Sequence, residues 1–142
     1  MEKTFLLEVV TPYGLVVNSQ VEEAYIPGSH GDFGVLPGHA HFLTSLRVGE
    51  MHYRKDKKDY YLAINRGFVE VTPTRTTIIT DTAERAEDID LDRARAAKAR
   101  AEERLKSLNA KDPAYTEVLK ALARAKVRIN LGEKFSRQEN GR

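Results

Sequence analysis

Residues 30–46 read HGDFGVLPGHAHFLTSL. Three histidines, three glycines and a proline sit against an apolar, strand-like run, and the stretch admits two readings. In the first it is a metal site. His39 and His41 are two apart, so on a strand both point to one side and can share an ion, with His30 as a third ligand and Asp32 nearby. In the second it is scaffold: Gly28, Gly31, Gly34 and Gly38 permit tight turns, while Pro27 and Pro37 fix direction. Scaffold accounts for more of these residues. The remaining histidine is His52, no serine occupies a nucleophile elbow, and no GxxxxGK[ST] phosphate loop occurs.

Outward from this stretch, residues up to about 82 keep the same texture. FLLEVVTP, VVNSQVEEAYIP, MHYRK, YYLAINRGFVEVTP and TRTTIITDT are short β-branched or aromatic runs punctuated by Gly, Pro, Asn and Asp. FVEV has the period-2 pattern of a strand with one buried face. RKDKKD at 54–59 reads as a solvated hairpin tip. Many short strands without a helical stretch predict a β-sandwich or flattened barrel.

After residue 88 the texture changes. DLDRARAAKARAEERLKSL is rich in strong helix formers and lacks Gly and Pro. Leu91, Ala94, Ala97, Ala101, Leu105 and Leu108 recur at threes and fours, one apolar stripe. Asp90 is placed to cap the helix and to meet the positive end of its dipole. NAKDP breaks the pattern, and Asp112-Pro113 restarts it as N-cap and first-turn proline. Tyr115, Val118, Leu119, Leu122, Ala125 and Ile129 make the second stripe, Gly132 is expected to end it, and SRQENGR to fray. The expected architecture is therefore β + α: an N-terminal β-sandwich over residues 1–86, then a C-terminal antiparallel two-helix hairpin over 87–142. The first stripe has three alanines and only three leucines and buries little area, so the hairpin is expected to be weakly held, either movable or permanently docked.

Composition bounds the function. No cysteine is present, which removes disulfides and thiolate metal sites. No signal peptide is expected, since the opening apolar run is short and interrupted by Glu8. No stretch approaches the roughly 18 apolar residues of a membrane span. Charge is uneven: residues 1–86 hold 9 Lys/Arg against 11 Asp/Glu, and residues 87–142 hold 14 against 10. The basic half suits an acidic partner or a phosphate ligand. Only Tyr115 and Phe135 interleave with its cations, so nucleic acid is not expected.

GDFGVLPGHAHFLTSL resembles the hallmark segment of the epsilon subunits of F-type ATP synthases, in which Gly-x-x-Gly-x-x-Pro-Gly-His-Ala precedes an apolar strand. FLLEVVTPYGLVV, AINRGFVEV and TDTAERAEDIDLDRARAAKARAE agree in the same order, so the likeness covers residues 4 to about 131. In that family the histidine matching His39 is structural, and the position of His41 is usually proline. The resemblance implies a non-catalytic subunit, not a stand-alone metal-dependent enzyme built on His30, His39 and His41. It implies a sandwich that grips the gamma subunit and rests on the membrane c-ring, coupling proton- or sodium-driven rotation to ATP synthesis. It also implies a peripheral place on the cytoplasmic face of the bacterial membrane.

For the hairpin, the resemblance implies a regulator that is compact against the sandwich or extended along gamma, where it obstructs ATP hydrolysis. A static adaptor is the competing possibility. When extended, Arg93, Arg95, Lys98, Arg100, Lys120, Arg124, Lys126 and Arg128 would meet acidic loops of the alpha and beta subunits. Ile89-Asp90-Leu91-Asp92-Arg93-Ala94 is similar to the I/L-D-x-x-R-A motif by which some family members bind ATP. Arg93 and Arg100 are seven apart and Arg124 and Arg128 four apart, so each pair shares a helix face. Forked guanidinium donors of this kind suit a polyphosphate. Family correspondence adds Glu84 and Asp90 near the base or ribose and Ile89 lining the site. No catalytic cofactor or metal is implied; ATP would be a regulatory ligand.

Overall fold

A computed structural model describes residues 3–140, with side chains through residue 137. It divides into two compact units whose boundary falls between Arg85 and Ala86.

The first unit consists of ten strands: β1 (Phe5–Thr11), β2 (Gly14–Val21), β3 (Glu23–Gly28), β4 (Gly31–Val35), β5 (Phe42–Leu46), β6 (Gly49–Lys55), β7 (Lys58–Ile64), β8 (Gly67–Val71), β9 (Arg75–Thr80) and β10 (Ala83–Arg85). Their order is β10-β7-β6-β3-β5-β8-β9-β1-β2, with β4 paired to β3. Every pairing is antiparallel except that of β1 with β9. Alternation does the sorting. Along β1, Phe5, Leu7, Val9 and Thr11 turn inward while Leu6, Glu8 and Val10 stay half-buried. Val17, Val21, Ile26, Met51, Leu62, Val69, Val71 and Ile78 complete one core, enclosed because the sheet folds over on itself as a sandwich. Each fully buried Val or Leu contributes about 1.5–3 kcal/mol.

The opening stretch of the sequence is scaffold with assigned work. Ser29 and His30 form the two-residue loop between β3 and β4, where Gly28 faces Gly31. A Cβ on Gly28 would stand 2.8 Å from the Gly31 carbonyl oxygen, so only glycine closes this hairpin. The Gly38 N–H donates to the Pro73 carbonyl at 2.8 Å, and the His39 N–H donates to Leu36 at 3.2 Å. Asp32 is ion-paired with Arg47. His30 and His41 are exposed and His39 is half-buried beside Phe42. Among the described residues, no group of three or more His, Cys, Asp or Glu is arranged to hold a metal ion.

RKDKKD forms the β6–β7 hairpin tip, with Lys55 facing Lys58 across the turn residues Asp56 and Lys57. Both turn residues have positive φ, 52° and 65°, the left-handed pair of a type I′ turn whose twist matches that of the strands.

The second unit holds a 3-10 turn (Ala86–Asp88), α1 (Leu91–Ser107) and α2 (Pro113–Asn140). Asp90 caps α1, its carboxylate accepting the Arg93 N–H at 3.1 Å. Asp112 caps α2, accepting the Ala114 N–H at 2.9 Å, with Pro113 in the first helical position. Two expectations need correction. Gly132 does not end the second helix: it is buried inside α2, which runs on to Asn140, so Ser136–Asn140 is helical, and residues 141–142 lie outside the described residues. Leu119 is 43% exposed, because it stands one residue past Val118 and therefore about 100° off the inward line of Val118 and Ala125. Among the described residues no helix is long and apolar enough to cross a membrane.

Candidate functional site

The second unit is an antiparallel hairpin, as two contacts establish. Gly132, near the end of α2, lies against Leu91 at the start of α1 and against Ile89 just before it. One turn on, Arg95 Nη2 meets Glu133 Oε1 at 3.2 Å. Ala94 and Ala101 on α1, and Val118, Ala125, Leu131 and Gly132 on α2, are buried.

Handedness then decides where the arginines lie. A right-handed helix turns about 100° per residue, so the residue before an inward-facing one sits on one side of the helix–helix seam. Two antiparallel helices present that side on the same flank. Arg93 precedes Ala94, Arg100 precedes Ala101, and Arg124 precedes Ala125, so all three share a flank. Arg128, three residues after Ala125, lies about 60° to the same side. Residues that follow the inward ones occupy the opposite flank. Arg95 follows Ala94 and Glu133 follows Gly132, and their ion pair closes that flank as the geometry requires.

Axial register brings the four arginines together. The Leu91–Gly132 and Arg95–Glu133 contacts set Arg128 at a level between Arg93 and Arg100, and Arg124 about level with Arg100 or slightly beyond. At 1.5 Å per residue the four positions span roughly 14 Å of the hairpin axis. Among the described residues, no acidic side chain forms an ion pair with Arg93, Arg100 or Arg124, whereas Arg128 is engaged within the chain. Arg93 and Arg100 are exposed, and Arg124 and Arg128 are half-buried. Like charges gathered on one flank repel one another, and a bound polyanion relieves that repulsion. Guanidinium forks are the donors best shaped to accept phosphate oxygens.

The remaining expected site residues divide between the units. Ile89 is half-buried, its N–H donating to the Ala86 carbonyl at 3.3 Å and its Cγ2 turned to Gly132. Asp90 is occupied on one side by the α1 cap. Glu84 belongs to the sheet unit, on β10 opposite Ala63. Two residues escaped the sequence reading. Arg104 stands three past Ala101, as Arg128 stands three past Ala125, and adds a fifth cation to the flank; the seven-residue repeat Ala94–Ala101 was the signal for it. Gly132 read as a helix stop, and its packing role needs knowledge of what it faces.

Two family profiles match in tandem. The ATP synthase delta/epsilon chain β-sandwich domain matches residues 4–86, and the delta/epsilon long alpha-helix domain matches residues 87–132. The chain is similar to the ATP synthase epsilon chain of Geotalea uraniireducens, 45% identical over 97% of this chain and 100% of the relative. It is 51% identical to that of Thermodesulfovibrio yellowstonii over 78% of this chain and 79% of the relative. In fold it resembles a chain in the cryo-EM structure of the Euglena gracilis mitochondrial ATP synthase, with a TM-score of 0.77 at 22% identity, covering 89% of this chain and 79% of that one.

Proposed function

The chain belongs to the epsilon-chain family of ATP synthases, subunits of the central stalk, and from that premise we propose that its helical hairpin is an ATP-responsive regulator of the motor. The sheet unit takes the structural part. It is a non-catalytic piece that holds the gamma subunit and faces the membrane c-ring, on the cytoplasmic side of the bacterial membrane. Rotation driven by protons or sodium ions is thereby coupled to synthesis in the catalytic head.

The observation that carries the regulatory reading is the single basic flank formed by Arg93, Arg100, Arg124 and Arg128 on a hairpin with a small core. That core is rich in alanine, each methyl-sized group contributing about 0.8 kcal/mol. A polyphosphate on the flank ties α1 to α2 and favours the compact hairpin. Without it, charge repulsion favours separation and engagement of the alpha and beta subunits. Exposed ion pairs there contribute about 0–1 kcal/mol each, so the extended form needs a network of them. Ligand control follows from differential binding: moving a 1:99 mixture to 99:1 takes about 5.5 kcal/mol. Ile89 supplies an apolar wall, Asp90 a polar contact to base or ribose, and the arginines the phosphate contacts.

Removing everything beyond Asp88 from the subunit in a reconstituted motor tests this. Hydrolysis is expected to rise and to lose its dependence on the subunit's response to ATP, while coupling through the sheet unit persists. Unchanged hydrolysis with an unchanged nucleotide response would sink the regulatory reading.

A further inference from the structure

Gly132 stands in the interior of α2, buried, where glycine is a poor choice on helical grounds alone. Alanine would favour the helix by about fivefold at such a position. The reason for glycine lies across the hairpin. A Cβ built on Gly132 would stand 2.7 Å from Leu91 Cδ2, 3.1 Å from Leu91 Cγ and 3.1 Å from Ile89 Cγ2. Two branched side chains crowd the position, so turning Leu91 aside still leaves Ile89 in contact. Ile89 is itself held between this contact and the hydrogen bond from its N–H to Ala86. Immediately after it comes the capping Asp90, whose carboxylate and carbonyl accept the N–H groups of Arg93 and Ala94.

We infer that Gly132 is a positioning residue for the nucleotide site: its missing side chain lets α2 close on the junction ahead of α1 and fixes Ile89 and the Asp90 cap for the ligand. The inference rests on the nucleotide reading of the flank given above. It assigns a binding role to a residue that touches neither phosphate nor base. It also explains why helix propensity is sacrificed there: substitution by alanine strengthens α2 as a helix and weakens the hairpin as a package. The two effects pull in opposite directions, which makes them separable.

The test uses the full chain in three forms: wild type, Gly132→Ala, and Gly132→Ala with Leu91→Ala, which removes the closer of the two contacts and leaves the 3.1 Å contact with Ile89. Two readouts are taken, ATP affinity by calorimetry and amide exchange at Ile89, Arg93 and Ala94 without nucleotide. Gly132→Ala is expected to weaken ATP binding at least tenfold and to speed exchange at the three amides at least tenfold. Total helix content by circular dichroism should stay equal or rise. The double variant is expected to recover part of both losses. If wild type and Gly132→Ala bind ATP equally, the positioning role is overturned and the site reading stands. If wild type does not bind ATP, the site reading fails and the positioning role for a nucleotide fails with it; exchange then reports only whether Gly132 holds the cap. Equal exchange in all three forms overturns the positioning role whatever the nucleotide does.

Discussion

The guanidinium of Arg85 donates to the backbone carbonyl of Val16 at 2.6 Å, joining β10 to β2. These strands stand at opposite ends of the sheet order, so one side chain pins the closure of the fold. Arg85 is also the last residue before the helical unit. A hydrogen bond with a charged donor contributes about 1.5–3 kcal/mol when partly buried. Arg85→Met is therefore expected to lower unfolding stability by about 2 kcal/mol in urea denaturation. Arg66→Met, which removes an exposed pair with Asp81, should cost about 0–1 kcal/mol. Equal losses at the two sites would show that the β10–β2 tie is incidental.

A second stability prediction concerns a flaw in the core. Thr76 is fully buried on β9, and its hydroxyl has no hydrogen-bond partner. An unsatisfied buried hydroxyl costs about 1–3 kcal/mol, and valine nearly matches threonine in shape. Thr76→Val is expected to raise stability by about 1 kcal/mol, read as a higher denaturation midpoint at unchanged slope. A loss of stability would mean that the hydroxyl is bonded in solution.

The β6–β7 turn offers a third. Lys57 holds a φ of 65°, a left-handed conformation costing about 1 kcal/mol for a residue with a Cβ. Its backbone N–H, which donates to Glu22 at 3.1 Å, survives substitution by glycine. Lys57→Gly is expected to stabilise by about 0.5 kcal/mol, the relief being partly offset by greater freedom of the unfolded chain. Thermal unfolding reads it, and a lower midpoint would contradict the assignment of the turn.

Capping and ligand roles separate at Asp90. Asp90→Ala removes the cap and should cost the hairpin about 1 kcal/mol, whereas Asp90→Asn keeps an acceptor and should cost little. Combined with Arg93→Ala, Asp90→Ala is expected to abolish ATP binding to the isolated chain. Unchanged calorimetric titration of that double variant would remove both residues from the site.

Sequence and structure agree where local chemistry decides, and part where packing does. Strands and caps were legible because alternation, turn residues and the Asp90 and Asp112-Pro113 signals act within a few residues. The turns of the histidine stretch were legible because its glycines and prolines act locally, as the Gly28–Gly31 hairpin shows. What Asp32 does instead, pairing with Arg47 in the connection between β5 and β6, required the fold. Gly132 was misread because a buried glycine facing Leu91 and a helix-ending glycine look identical in one dimension. Leu119 fell off the apolar line because a stripe read at threes and fours is wider than the seam two helices share. The arginines paired off within each helix from spacing alone. Their sharing of one flank needed the antiparallel register that Leu91–Gly132 and Arg95–Glu133 supply.

Calorimetric titration of the full chain with ATP, set beside the variant in which Arg93, Arg100, Arg124 and Arg128 are all glutamine, tests the basic flank most directly. Saturable one-to-one binding to the first and none to the second is the expected result. Equal heats from both, or no binding by the unaltered chain, would contradict it.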